Sequence, residues 1–314
     1  MQYQLLSRSN PNSSNAPRVT KRLARLEKKL GSKVIPMLSD RDSAVFEKKY
    51  IKHMKQHVTK PTIVLIGGGD GTVHQVVGAT AKLPAPLRKN IILLPIWGGN
   101  ANDFAYMLNG LGLRRNLLNI IEEGRVVKIH PLQITLTNKS VITRDYAICY
   151  ASFGASAFAA DELDKSEIAR RGLFSNIPLI VVSRELTRVT TAFLHAPPFK
   201  ARVNGRRVKI FEQVFTNGSR IAKIDRLPVN LTDKAFYMIV QPSKHPTIII
   251  RVLKLLTGKQ VGAVTKKPVS FEVREPVLGQ YDGEVIKIPK NTHVTISTSN
   301  DYIYALSTKL GDTK

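Results

Sequence analysis

The run Gly67-Gly68-Gly69-Asp70-Gly71-Thr72 follows four aliphatic residues, Ile63 to Ile66, and precedes residues 73–82, whose pattern predicts a helix. A strand, a glycine loop and a helix in direct succession commit this part of the chain to α/β packing. Glycines let backbone N–H groups approach a phosphate without Cβ obstruction, and a helix N-terminus adds favourable partial positive charge. The loop therefore reads as a nucleotide cradle. It is neither a Walker A loop, since no Lys-Ser or Lys-Thr closes it, nor a G-x-G-x-x-G dinucleotide fingerprint. A carboxylate beside bound phosphates makes chemical sense as a partner of Mg²⁺ or as the acceptor of a substrate proton, and Asp70 is placed for either. The competing reading is a tight turn in which Asp70 caps the helix at Gly71.

A second loop of the same kind follows. The apolar run from Ile91 to Ile96 leads into Gly98-Gly99-Asn100-Ala101-Asn102-Asp103-Phe104-Ala105. In a doubly wound sheet the carboxyl ends of successive strands open on one crevice, so two such loops face one ligand.

From the N-terminus to about Arg125 short apolar runs alternate with helical patterns. Val19, Leu23, Leu26 and Leu30 lie at helical spacing, with Lys21, Arg22, Arg25, Lys28 and Lys29 off that face, which predicts an amphipathic helix with a basic, solvated side. A strand is expected at 34–38 and a helix at 42–54. Beyond Gly124 the pattern changes to β-rich, with strands expected at 126–137, 143–150, 199–203, 208–216, 235–240, 269–273, 285–288 and 293–297. Helices are expected at 175–195, with a stripe of Leu179, Val182, Leu186, Val189 and Phe193, and at 246–257.

With 314 residues the chain can bury a sizeable core and form two domains. Its lone cysteine, Cys149, excludes an intramolecular disulfide and fits a reducing compartment. Residues 1–8 lack the organisation of a signal peptide, and no apolar run approaches a membrane span, so the expectation is a cytoplasmic chain that meets membranes only peripherally. The formal net charge of +25 attracts polyanions, with anionic membrane and nucleic acid as candidates. The basic residues are dispersed, without an RNP signature, zinc finger or recognition helix, which argues against base readout. An organism-wide basic composition would give the same number. A homodimer stays open.

Gly68-Gly69-Asp70-Gly71-Thr72 together with Asn102-Asp103-Phe104-Ala105 resembles the catalytic domain of the diacylglycerol kinase and sphingosine kinase superfamily of lipid kinases. Asn10-Pro11-Asn12-Ser13-Ser14 resembles that family's N-P-x-S-G loop, and Asp282-Gly283-Glu284 its late D-G-E. The resemblance implies an α/β nucleotide-binding domain with a mainly parallel sheet over 1–126. A β-sandwich-like substrate domain with helical insertions would follow over 127–298, and 299–314 would return to the first domain. It implies ATP as phosphoryl donor, Mg²⁺, and a diacylglycerol-like or long-chain lipid hydroxyl as acceptor at an anionic membrane surface. Asp70, Asp103 and Glu284 become the acids around the transferred phosphoryl group, with Asp70 and Asp103 towards the metal and Glu284 as the base for the lipid hydroxyl. Asn10, Ser13, Gly68, Gly69, Gly71, Thr72, Gly99 and Asn102 become the nucleotide side. By itself Asp282-Gly283 is an ordinary hairpin turn.

The chain departs from the family pattern at Gln75, where relatives often carry Glu, and at Ala101, in place of a glycine. It departs again after Asn217, and at Lys234, which follows Asp233 in place of glycine. NAD kinase, which shares the first loop, is the alternative enzyme; the Asn-Asp-Phe-Ala element and the late Asp-Gly-Glu favour the lipid branch. A non-enzymatic polyanion-binding protein is the alternative of another class.

Overall fold

The computed structural model describes residues 3–9, 16–30, 34–36, 43–97, 102–110, 117–165, 179–221, 224–225, 227–241 and 261–310. The chain divides into two compact units, one formed by Met1–Pro131 with Ser299–Lys314 and the other by Leu132–Thr298.

In the first unit, β1 (Gln4–Ser9), α1 (Ala16–Leu30), β2 (Ile35–Pro36), α2 (Ser43–His57), β3 (Thr62–Gly68), α3 (Asp70–Ala81), α4 (Ala85–Arg88), β4 (Ile91–Trp97), α5 (Asp103–Asn109), α6 (Leu117–Glu123) and β5 (Arg125–Ile129) follow in turn. A strand near the C-terminus, β20 (Ile303–Ser307), completes one sheet of order β2-β1-β3-β4-β20-β5. β1, β2, β3, β4 and β20 pair in parallel, and β5 runs antiparallel to β20. Every residue of β3 is buried, as a strand covered on both faces requires, and so its sequence is almost continuously aliphatic. Ile63, Leu65, Ile92 and Leu94 share one cluster with Val19 and Leu26 of α1 and with Leu117 and Ile120 of α6. The alternate residues Val64 and Ile66 are equally buried, because successive side chains of a strand point to opposite faces. Across α2 and α3, the Tyr50 hydroxyl and Thr80 Oγ1 are hydrogen-bonded at 2.8 Å.

The single strand expected at 126–137 is two strands, interrupted at His130 and Pro131: β5 belongs to the first unit, and β6 begins at Leu132 in the second. Pro131 has no N–H to continue a ladder. Its carbonyl accepts the Ser299 N–H at 2.8 Å, so the chain leaves the first unit and rejoins it at one point. The expected division at 126 consequently falls five residues short, inside β5.

The second unit contains β6 (Leu132–Asn138), β7 (Val141–Ala147), β8 (Tyr150–Gly154), α7 (Ala155–Asp164), α8 (Leu179–His195), β9 (Phe199–Val203), β10 (Arg206–Ile210) and β11 (Glu212–Thr216). It continues with β12 (Arg220–Ile221), β13 (Ile224–Asp225), β14 (Phe236–Gln241), β15 (Ala263–Thr265), β16 (Val269–Val273), β17 (Val277–Tyr281), β18 (Glu284–Ile288) and β19 (Thr292–Thr298). Two antiparallel sheets, β10-β9-β16-β19-β6-β7 and β15-β14-β11-β8-β17-β18, send their side chains into one core. That core brings Phe199 and Phe271 of one sheet together with Phe153, Phe215 and Phe236 of the other, and the rings of Phe153 and Phe271 meet edge to face at 5.3 Å. This is a β-sandwich.

The expected strand at 143–150 spans the end of β7, a bend at Ile148 and Cys149, and the start of β8; that at 208–216 spans β10 and β11. Helix α7 has no counterpart among the sequence-based expectations. The helix expected at 246–257 lies outside the described residues. So do residues 37–38 of the expected strand and 175–178 of the expected helix, whereas Val34 is described and immediately precedes β2.

Candidate nucleotide and catalytic site

Asp70 is the first residue of α3, immediately after β3. The residue preceding the helix is Gly69, in extended conformation and without a side-chain cap, so Asp70 does not cap the helix as the competing reading required. Its Oδ2 instead accepts the backbone N–H of Asn102 at 3.1 Å. A carboxylate from the first glycine loop is thus tied to the backbone of the second, and the two loops form one locus at the carboxyl ends of adjacent parallel strands.

Glycine at position 68 is a steric requirement. A Cβ there would overlap the Thr72 side chain, lying 2.6 Å from its Cβ. Thr72 is buried and folds back over the loop, with its hydroxyl against Gly68. Asn102 precedes α5 in the left-handed conformation, at φ 56° and ψ 37°, which Asn adopts more readily than most residues. It turns the chain so that the next residue, Asp103, opens α5 and is 1% exposed. The structure therefore brings Gly68, Gly69, Asp70, Gly71, Thr72, Asn102 and Asp103 to one end of the sheet. Asn10, Ser13, Gly99 and Ala101 lie outside the described residues.

Two elements fix this locus. Gln75 donates from Nε2 to Ser43 Oγ of α2 at 2.9 Å, so the position where relatives often have Glu ties α3 to α2. The end of β20 and the residue after it clasp the far end of α5: Ser307 Oγ donates to the Leu108 carbonyl at 2.5 Å, and the Thr308 N–H donates to Asn109 Oδ1 at 3.0 Å. Sequence patterning gave no sign of this clasp, since its acceptors are backbone atoms and one amide.

The donor set fits a magnesium ion carried with a nucleotide. Mg²⁺ is commonly held by one or two carboxylates, with substrate phosphates and water completing the shell. Asp70 and Asp103, on helix starts joined through the Asn102 N–H, supply two carboxylates. Among the described residues no group of three or more His, Cys, Asp or Glu forms an all-protein metal cage.

The late acids occupy the second unit and differ from each other. Asp282 and Gly283 are the two loop residues of the β17–β18 hairpin, at φ 47° and 99°, the left-handed pair of a type I′ turn. The Asp282 side chain is buried and accepts the N–H groups of Ile148, Cys149 and Tyr150 at 2.6, 2.8 and 2.9 Å. It locks the bend between β7 and β8. Asn217 completes the same bend, donating from Nδ2 to the Ile148 carbonyl at 3.2 Å. Glu284 begins β18 and is exposed. Asp233 forms a local turn, its Oδ2 accepting the Asn230 N–H at 2.8 Å, with Lys234 exposed beside it.

A second buried acid escaped sequence reasoning. Glu212, at the start of β11, accepts both the backbone N–H and the hydroxyl of Ser156 in the first turn of α7. Burial pushes its carboxyl up to about 8, against the opposing pull of these bonds. Its signal would have been an acid in the otherwise apolar neighbourhood of Phe211, Val214 and Phe215.

Residues 9–134 match the family model of the diacylglycerol kinase catalytic domain. Relatives named "Probable lipid kinase YegS-like" from Yersinia pestis (strain Pestoides F) and Yersinia pseudotuberculosis serotype O:3 (strain YPIII) are each 41% identical over 71 residues, which is 23% of this chain and 23% of each relative. The aligned part is thus under a quarter of the relatives' length. A crystal structure of a diacylglycerol kinase from Bacillus anthracis str. Sterne is similar over 98% of this chain and 97% of that one, with a TM-score of 0.64 and 15% identity; this likeness shows the fold.

Proposed function

We propose that the protein is an ATP-dependent lipid kinase that transfers the γ-phosphoryl group to a hydroxyl of a diacylglycerol-like or long-chain acceptor. The observation that carries the reading is the Asp70 bond to the Asn102 N–H, which gathers an acid, a glycine cradle and a second acid at one end of a parallel sheet. Phosphoryl transfer asks a protein chiefly for positioning and charge stabilisation. Gly68, Gly69 and Gly71 leave the backbone open to phosphate oxygens, and Thr72 offers its hydroxyl. Asp70 and Asp103 would hold Mg²⁺ when the nucleotide brings it, and the ion would neutralise charge on the transferred group. Glu284 would accept the proton of the attacking lipid hydroxyl. The match of residues 9–134 to a kinase catalytic domain and the names of the relatives support this reading over NAD phosphorylation.

The test is transfer of label from γ-labelled ATP into the chloroform-soluble fraction of a mixed lipid extract, with NAD as a parallel acceptor. Label should enter lipid, should fail to enter NAD, and should vanish in excess chelator. Label in NAD alone, or turnover indifferent to chelator, overturns the reading.

A further inference from the structure

One end of the β10-β9-β16-β19-β6-β7 sheet forms a continuous basic rim. Lys209 pairs with Lys200 across β10 and β9, and the Arg274 N–H donates to the Lys200 carbonyl at 2.9 Å. Asn291 follows, its N–H bonded to the Val273 carbonyl at 2.7 Å, and Asn138 reaches the Lys290 carbonyl at 3.2 Å. Asn138 in turn pairs with Val141 across the β6–β7 hairpin. The rim thus runs without a break from β10 to the tip of that hairpin.

Its two ends differ in chemistry. At the β10 end a cavity of about 550 Å³ is lined by Lys200, Arg207, Lys209, Arg274 and Asn291. Glu275 pairs with Lys200 at 3.4 Å and Glu272 with Arg274 at 2.9 Å, whereas Arg207 and Lys209 form no ion pair among the described residues. The cavity therefore keeps a net positive charge. At the hairpin end Val141 and Ile142 are 61% and 60% exposed, following the exposed Lys139.

We propose that this rim is the surface by which the protein docks on an anionic lipid bilayer. The basic cavity would receive a phosphate-bearing headgroup, while Val141 and Ile142 enter the boundary between headgroups and acyl chains. The pairing of exposed aliphatics with cations selects a bilayer over nucleic acid: a phosphate backbone satisfies the cations and leaves the aliphatics in water, and a lipid interface satisfies both. Lys165, exposed at the end of α7, is a weaker candidate. Lys165 is engaged by Asp161 and Glu162 on α7, at 2.6 and 3.1 Å, and Arg188 of α8 by Glu162 at 2.7 Å. The inference rests on the lipid-kinase reading for its purpose, and its test is separable from that reading.

Binding of the full chain to vesicles of phosphatidylcholine with and without phosphatidylserine is measured by flotation, beside label transfer to a short-chain diacylglycerol dissolved without vesicles. The parent should float with the anionic vesicles and lose them as salt rises. The double variant Arg207→Glu/Lys209→Glu should bind at least about tenfold more weakly, and Val141→Ser/Ile142→Ser should bind more weakly at high salt, where the apolar contribution remains. Both should keep the parent's turnover on the dissolved acceptor. Reversal of Arg25 and Lys29 on α1 controls for total charge. Equal weakening by the α1 variant, or undiminished binding by the rim variants, overturns the docking surface. A rim-dependent parent that transfers no label to any lipid overturns the kinase reading and leaves the surface standing.

Discussion

Asp70 and Asp282 are both followed by glycine, and in sequence nothing but their neighbours tells them apart. In the structure Asp70 Oδ2 accepts a backbone N–H from another loop, while Asp282, fully buried at the bend it holds, accepts those of Ile148, Cys149 and Tyr150. Hydrogen bonds to a charged acceptor contribute about 1.5–3 kcal/mol each, and buried donors left without one are costly. Asp282→Ala should therefore lower stability by about 3 kcal/mol or more, read as a shift in the urea midpoint by far-UV circular dichroism. A shift within ~0.5 kcal/mol, the usual range of surface substitutions, would contradict this anchoring role. Glu284, two residues on and exposed, should behave oppositely. Glu284→Gln should leave the urea midpoint and the apparent affinity for ATP unchanged and lower kcat, because an interaction made mainly in the transition state appears there. Lost ATP affinity with normal turnover at saturation would place Glu284 with the nucleotide instead. The sequence resemblance distinguished the motif; the division of labour between its two acids depends on which backbone donors the bend at Ile148 and Cys149 presents, and a linear pattern does not carry that.

The elements that formed readable patterns were those with one buried stripe or two buried faces. Ile63 to Ile66 and Ile91 to Ile96 are aliphatic because β3 and β4 are covered on both sides, and Val19 and Leu26 lie at helical spacing because α1 buries one face. Helix α7 was missed for the converse reason. Its alanines, Ala155, Ala157 and Ala159, are buried yet too small to mark a stripe, and its start is set by an acid from a distant strand. That acid gives the element a pH dependence. Glu212 binds its proton more tightly in the folded chain than in the unfolded one, so its contribution is fully present below about pH 4.5 and is lost as pH rises through about 8. The urea midpoint should consequently fall between pH 5 and 8 in the parent. Glu212→Gln, which carries no ionisable proton, should flatten that decline; a decline of equal size in the variant would assign it to other groups.

At the scale of the whole molecule, the chain spends its first segment on a parallel sheet and departs at Pro131 into a β-sandwich. It returns at Ser299 to place β20 between β4 and β5. The return also fixes α5, because Ser307 at the end of β20 and Thr308 after it hold the far end of that helix, whose first residue is Asp103. Sequence reading anticipated a C-terminal return through the family resemblance alone; β20 is one short strand with no pattern to name its partners. Part of the +25 net charge takes on location in the folded chain: Lys165 and Arg188 are paired with acids on α7, whereas Arg207 and Lys209 line the cavity at the sandwich rim without an ion pair among the described residues. Among the described residues no helix is long and apolar enough to cross a membrane, so a peripheral route to lipid is the proposal this distribution supports.

In the proposed reaction the Asp70 carboxylate serves phosphoryl transfer. Asp70→Asn keeps the size of the side chain and an oxygen able to accept the Asn102 N–H, while removing the charge that a metal ion or a substrate proton requires. The most direct measurement is label transfer from ATP to lipid by parent and variant at equal concentration, beside their thermal unfolding. Asp70→Asn should lower transfer on the order of 10²–10⁴-fold with the unfolding transition in place. Activity within a few-fold of the parent would contradict it.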